Sequence, residues 1–469
     1  MDSKYNYCKK LNTFQILDKN FRPAITEYKR FNEKVLKTGN SIPIEIALER
    51  NDGLISKYKT NIFNDVMNMD KVNYFYIERL IKTLLWSRGG WKITIGGSFK
   101  IGEYIKKTYA LGGLREFDAK FMERVYSKPF TIISTDINNV PELNEKTRPL
   151  GRHLNGCRIG FDAGGSDHKI SAMIDGKVIF NEELVWHPKL HSNPEYHYNE
   201  ILKALKKAAS KLPRVDAIGV STPGIYINNR VIVASIFIKV PDKIFNEKVK
   251  NIFINIQKAM GGVPLEVAND GDVAALAGAM YIVNDINILG ISMGTSEAGG
   301  YIDGMGNITG WINELAFIPI DFNSNAMIDE WSGDIGCGGK YFSQDAVINL
   351  ARLAGITLNE SLTSAKKLEV IQTLHANGDN RAKNIFHTIG YYLGYTIAYY
   401  AQIYNFKHIL ILGRVTTGEG GNTILNEARY ILNTEFTDLA KNIKLHLPNE
   451  SNKRFAQSIA AASLPMIDH

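Results

Sequence analysis

The chain is poor in cysteine, in long apolar stretches and in clustered charge, and each shortage removes a class of protein. Its three cysteines, Cys8, Cys157 and Cys337, are odd in number and far apart in 469 residues. They can build neither a disulfide framework nor a four-thiolate zinc site within one chain, so a reducing compartment is expected. No window reaches 18 uninterrupted apolar residues, and MDSKYNYCKK carries charges where a secretion signal needs an apolar run. A cytoplasmic protein without a membrane segment is the expectation. Blocks of five like charges are also missing. The formal charge of +7 divides into 26 basic against 17 acidic residues, +9, over residues 1–150, and −2 over the remainder. Spread through apolar segments such as FYIERLIKTLLW, that excess reads as a solvated basic face rather than a nucleic-acid arm.

What is present is a globular composition, 45% apolar and 22% charged, on a chain too long for one ordinary core. The polar stretch NNVPELNEKTRPLGRHLNG, with two prolines, predicts a boundary near residue 150 and hence units at 1–150 and 151–469. In the second unit, apolar runs of strand length (CRIGFDAGG, KISAMID, KVIFNEELVW, DAIGVSTPG, PLEVAND, NILGISMGTS, HILILG) alternate with helical patterns. That alternation predicts an α/β protein, and the opening three-strand meander makes the sheets mixed. Ligands of such folds sit at the carboxyl ends of strands. The first unit reads as α+β, with a hairpin turning at Asn51-Asp52-Gly53 and then helix, strand, Gly-Gly turn and helix. The same order recurs over residues 388–430, as a decayed duplication or as a common arrangement met twice.

Glycine-bearing turns after apolar strands carry the chemistry. Asp162-Ala163-Gly164-Gly165-Ser166 follows RIGF; glycines let backbone N–H groups approach phosphate oxygens, and a strand-end carboxylate can hold hydrated magnesium. Ser221-Thr222-Pro223-Gly224 follows DAIGV and is unremarkable as a turn. Asn269-Asp270 closes PLEV and opens an alanine-rich helix, where Asp270 or Asp272 could cap the helix or accept the proton of an attacking alcohol. Gly294-Thr295-Ser296 is a second hairpin able to cradle phosphate, and Gly413 after HILIL leaves room for a purine and ribose against backbone.

Two phosphate hairpins with an Asp between them and a late glycine turn resemble the sugar-kinase, hsp70 and actin superfamily, and within it the ROK family of glucokinase-like sugar kinases and sugar-responsive repressors. The resemblance covers about residues 157 to 465. It implies two ribonuclease-H-like lobes with a cleft for sugar and ATP, preceded here by the α+β extension. By the same resemblance, Asp162 (magnesium through water), Gly164, Gly165, Ser166, Gly294, Thr295, Ser296 and Gly413 would hold ATP. Asp270 would deprotonate the sugar, and Asn269, Glu314, Ser221 and Gly224 would bind it.

Several positions depart from the family pattern. Phe317 stands where a sugar- and zinc-binding His is common, and Cys337 alone represents the cysteine cluster, so no zinc is expected. Ile236 falls where a sugar-contacting Asn is usual, Arg414 replaces a glycine, and Glu297 puts a carboxylate beside the second hairpin, where its charge would oppose ATP. The expected activity is ATP- and magnesium-dependent phosphorylation of a sugar hydroxyl. The alternative is a sugar-sensing ROK protein weakened in catalysis, against which stands the joint retention of Asp162, Asp270 and Glu314. The extension shows no helix-turn-helix signature, so sugar and ATP are the expected partners and nucleic acid is not. His187, His191 and His197 read as surface residues of a polar loop, Trp186 and Trp311 as packing or cleft wall, and GYYLGYTIAYYAQIY as a buried helix or a homodimer face.

Overall fold

A computed structural model describes residues 16–146, 150–280, 286–448 and 455–467. Strands β1 (Ser41–Glu49) and β2 (Ile55–Phe63) form the expected antiparallel hairpin. With β3 (Lys92–Gly96) and β4 (Thr131–Thr135) they make a four-stranded sheet in the order β2-β1-β3-β4. Helices α1 (Ala24–Lys37), α2 (Asp70–Arg88), α3 (Phe99–Thr108) and α4 (Glu116–Tyr126) accompany it.

The next sheet, ordered β11-β8-β5-β6-β7, is the first lobe. Its meander runs through β5 (Cys157–Ala163), β6 (Asp167–Ile174) and β7 (Lys177–Val185), while β8 (Ala217–Thr222) and β11 (Leu265–Asn269) add in parallel to β5. CRIGFDA is buried at every position, as a central strand covered on both faces must be, whereas KVIFNEELV alternates half-buried with exposed or charged residues and forms the edge. A ribbon of β9 (Ile225–Ile227) and β10 (Arg230–Val233), helix α5 (Pro194–Ala209), a short turn α6 (Asp242–Ile244) and α7 (Ile252–Ala259) complete the lobe.

Helix α8 (Asp270–Ala279) leads into the second lobe, a sheet ordered β13-β12-β14-β15. Its strands are β12 (Ile288–Met293), β13 (Glu297–Ile302), β14 (His408–Leu412) and β15 (Lys444–His446), backed by α9 (Gln344–Leu353), α10 (Ser364–Ala376), α11 (Asn380–Tyr400), α12 (Glu419–Glu435) and α13 (Thr437–Ala440). The chain then returns to the first lobe as α14 (Ala456–Ala462), lying on β5 and β8. Glycine permits that approach, because a Cβ at Gly160 would stand 1.7 Å from the Ser458 carbonyl oxygen and one at Gly219 1.6 Å from that of Ala461.

The duplication suggested by element order fails on strand direction. β1 runs antiparallel to β3, whereas the corresponding β12 and β14 are parallel. The tyrosine-rich helix α11 packs within the chain against α12, α10, α9 and α1, with Tyr392, Tyr399 and Tyr400 in the core. One apolar cluster joins the aromatic residues of 21–126 to those of the second lobe, while the first lobe has its own. Rings of Tyr28 and Tyr399 lie 5.2 Å apart, and the Thr83 and Tyr399 hydroxyls share a hydrogen bond at 2.6 Å. Among the described residues no helix is long and apolar enough to cross a membrane.

Candidate active site

Parallel pairing of β5 with β8 sets Asp162 beside Ser221, and β11 follows on the other side of β8, so three strand ends open on one cleft. The buried Asp162 carboxylate accepts the Ser221 hydroxyl at 2.9 Å. Burial pushes Asp162 up to about 6, against the pull of Lys169 and of the Ser221 hydrogen bond, and Asp270 adds to the rise. Beyond Asp162 the hairpin at Gly164, Gly165 and Ser166 is accessible. Trp186 is packing of a purposeful kind: buried under this turn, it donates its indole N–H to the Gly164 carbonyl at 2.8 Å.

At the end of β11, Asn269 caps α8 by accepting the Gly271 N–H at 2.7 Å, and its amide donates to the Gly224 carbonyl at 2.7 Å. The cap is therefore Asn269 and neither of the two aspartates. Asn269 holds the Pro-Gly turn against the helix, with both ends of its amide engaged by protein. Asp270 is freed for the cleft, with one oxygen 3.0 Å from the Gly271 N–H. Burial raises it to about 6, while the N–H groups at the helix start and the cation of Lys189 pull it down.

Glu314 stands across from Asp270 on the loop before a short turn, Leu315–Phe317. Burial and then the charges of Asp270 and Asp272 lift it to about 7. Asp272, in the first turn of α8, is itself raised to about 7 by burial; it accepts the backbone N–H of Tyr301 at 3.2 Å and the Asn313 amide at 3.0 Å. The Asp270 charge thus reaches both Asp272 and Glu314.

The second hairpin closes on itself through the Gly294 N–H to the Ser296 carbonyl at 3.0 Å, leaving Thr295 and Ser296 exposed. Gly413 adopts φ +95° directly behind it, where a Cβ would stand 2.3 Å from the Met293 carbonyl oxygen. Only glycine fits this crossing of β12 and β14. Glu297 does not oppose an anion at the hairpin as expected. It points inward, accepts the Tyr400 hydroxyl at 3.3 Å, and burial raises it to about 8, so it holds a proton at neutral pH.

The remaining departures are also decided by burial. Phe317 stacks on Trp86 of α2 with ring centroids 4.2 Å apart. Ile236 is buried, and its carbonyl is the partner of His197, whose Nε2 lies 2.9 Å away. His197 is thus a core residue of α5, contrary to the surface reading, while His191 stacks on Tyr196 at 3.6 Å. Trp311 stacks on Tyr301 at 5.4 Å and packs against the second lobe. Arg414 sits in the turn after Gly413, close enough to hold Asp167 down, although Lys169 and Ser166 do more of that work. The Cys337 thiol is buried and pushed up to about 12; among the described residues no group of three or more His, Cys, Asp or Glu side chains is arranged to hold a metal ion.

Sequence reading missed Lys189, Asp272, Asn313 and Trp86. Lys189 belonged to a stretch dismissed as polar loop, yet its ammonium hangs over the first hairpin, 3.2 Å from where a Gly165 Cβ would be. Nothing in HPKLH signals that placement, which arises from the turn at Pro188–Leu190 folding back over the strand ends. Asp272 was visible as a candidate cap or proton acceptor, and what was missed is its hold on Asn313.

No curated protein sequence matches the chain. Among solved structures, a ROK hexokinase from Thermus thermophilus is 18% identical with a TM-score of 0.51, covering 66% of this chain and 97% of its own. A ROK family transcriptional regulator, a homologue of the E. coli MLC protein, is 21% identical with a TM-score of 0.53 over 66% of this chain and 78% of its own. A ROK family glucokinase from Streptomyces griseus, in complex with glucose and AMPPNP, is 18% identical with a TM-score of 0.50 over 66% and 99%. These likenesses establish the two-lobe fold. The ROK family model matches residues 158–458, and on that match, with hairpins, strand ends and lobes in the order that the fold requires, the chain belongs to the ROK family.

Proposed function

We propose that the chain is an ATP-dependent sugar kinase, with residues 151–469 as the kinase unit and 1–150 as its extension. The observation that carries this reading is the Asp270 carboxylate, relieved of capping by Asn269 and facing both the first hairpin and Glu314. Asp270 accepts the proton of the sugar hydroxyl as it attacks the terminal phosphoryl group, and Glu314 orients the sugar by accepting hydroxyl hydrogen bonds. Backbone N–H groups and hydroxyls of Gly164–Ser166 and Gly294–Ser296 bind the phosphates, with Gly413 leaving room for the adenosine. Magnesium usually takes one or two carboxylates and keeps several waters, which the lone strand-end Asp162 fits; bound there, it would neutralise phosphate charge. The kinase-named neighbours support the reaction class.

ADP release measured over hexoses, N-acetylated amino sugars and polyols is expected to depend on one class of sugar. Because a general base works only deprotonated, kcat/KM should be full only well above pH 7, already be falling at pH 7, and be largely lost below pH 6, as Glu314 and then Asp270 take up protons at about 7 and about 6. An acid limb in the ordinary carboxylate range, near pH 4, would remove these two groups from the reaction. Sugar binding without sugar-dependent ADP release would instead favour the sensing role, the reading to which Phe317 and Ile236 lend weight.

Lys189 is assigned to the transferring phosphoryl group, since its ammonium lies between the first hairpin and Asp270. Its side chain is exposed and makes no ion pair among the described residues, so Lys189→Ala should fold normally. The expected result is a kcat about tenfold or more lower and an acid limb displaced to higher pH, because the cation that lowers Asp270 is gone. An unmoved limb with unchanged kcat would show Lys189 to be a bystander.

A further inference from the structure

The last carbonyls of a helix have no partner within it. In α2 those of Trp86 and Ser87 accept the backbone N–H groups of Glu314 at 2.9 Å and Asn313 at 3.0 Å. Asn313 sits in the left-handed region at φ +49°, fixed there by the Asp272 carboxylate and by the Tyr404 hydroxyl, which donates to its amide oxygen at 3.1 Å. Four residues on, Phe317 lies on the Trp86 indole. That indole is itself tied down, its N–H donating to Asp118, which also accepts the Lys82 ammonium at 3.1 Å. The loop bearing Glu314 thus has few regular hydrogen bonds of its own and takes its place from a helix outside the matched family region. Without α2, two N–H groups would be unpaired beside the half-buried Glu314 carboxyl group, and the loop would have to move to find partners.

We infer that the C-terminal turn of α2 is a built part of the acceptor site, with Trp86 as the positioning residue that sets where Glu314 stands; this rests on the reading of Glu314 as an acceptor ligand. The extension is then neither a tether nor a detachable module. An aromatic stack occupies the place where the family pattern has a zinc-binding His, and does the positioning.

The test uses the full chain, with Trp86→Phe and Phe317→Leu measured singly and together. Both keep an apolar side chain while changing the stack. Phe317 is only partly buried, so its variant folds even if Trp86→Phe does not. The expected result for each is an acceptor KM raised about tenfold or more with the KM for ATP unchanged, and a double variant little worse than either single one. Equal rises in both KM values together with a lower melting temperature would reduce the contact to general stability and overturn the inference, as would unchanged KM values. If the native chain releases no ADP, calorimetric titration with the same sugar panel reads the contact directly. Weakened sugar binding in the variants then supports the inference while the kinase reading falls. A native chain that binds no sugar overturns both.

Discussion

Asp270→Asn is expected to abolish sugar-dependent ADP release, by about 10²–10⁴-fold, the usual contribution of a positioned general base. Asparagine matches the shape of aspartate and cannot take a proton from an alcohol. The fold should be untouched, because α8 is capped by Asn269, whose amide accepts the Gly271 N–H at 2.7 Å. The three carboxylates that sense Asp270, namely Asp162, Asp272 and Glu314, should all ionise more easily once its charge is gone. A melting curve and a coupled ADP assay on the same preparation separate the outcomes. If Asp270 only complemented the positive end of α8, its loss would cost about 0.3–1 kcal/mol of stability and leave the rate alone, and that pair of results would falsify the assignment.

Lys82→Met is expected to cost about 3–5 kcal/mol of stability, the range for breaking a buried ion pair by removing one partner. Six buried charged groups meet between the extension and the second lobe: Glu78, Arg79 and Lys82 on α2, Arg115 and Asp118 at the start of α4, and Asp334 on the second lobe. Arg79 lies 3.0 Å from Asp334 and also pairs with Glu78; Lys82 lies 3.1 Å from Asp118 and 3.0 Å from Asp334; Arg115 reaches Glu78 and Asp334. Three cations face three anions, so the set is neutral as it stands. Burial works against both signs, yet the carboxylates beside Arg79 and Lys82 hold both firmly cationic. Removing Lys82 leaves one uncompensated anion in the core. Adding Asp118→Asn restores neutrality and keeps an acceptor for the Trp86 indole, so the double variant should recover much of the loss in a denaturant titration. A single-variant cost below about 1 kcal/mol, the level of a surface pair, would mean that the network is hydrated rather than dry.

Much of the ROK-family region was legible because its signals are local. A strand is read from a short apolar run and a turn from its glycines, and neither needs distant information. The order of Asp162, Asp270 and Gly294 along the chain carries the order of strand ends around the cleft, since parallel strands deliver their carboxyl ends to one side. Glu297 was misread because its neighbours in sequence are hairpin residues, whereas its neighbours in space are Tyr400 and Gly338. His197 was misread for the same reason, as part of a polar loop by composition and part of the buried face of α5 by position. Lys189 was invisible because nothing in its own stretch says over which turn it folds.

By itself, the amino-acid sequence determined the alternation of strand and helix, the glycine turns that follow the strands, and the types of residue that end them. Only the tertiary structure decided which carboxyl groups are pushed towards the protonated form, because burial and partners set that. It also decided what residues 1–150 touch. The carbonyls that hold Asn313 and Glu314 belong to a helix far away in sequence, and two of the cations that pair with Asp334 lie on the same helix. Contacts of that range depend on how two surfaces meet, and no short stretch of either one encodes the meeting.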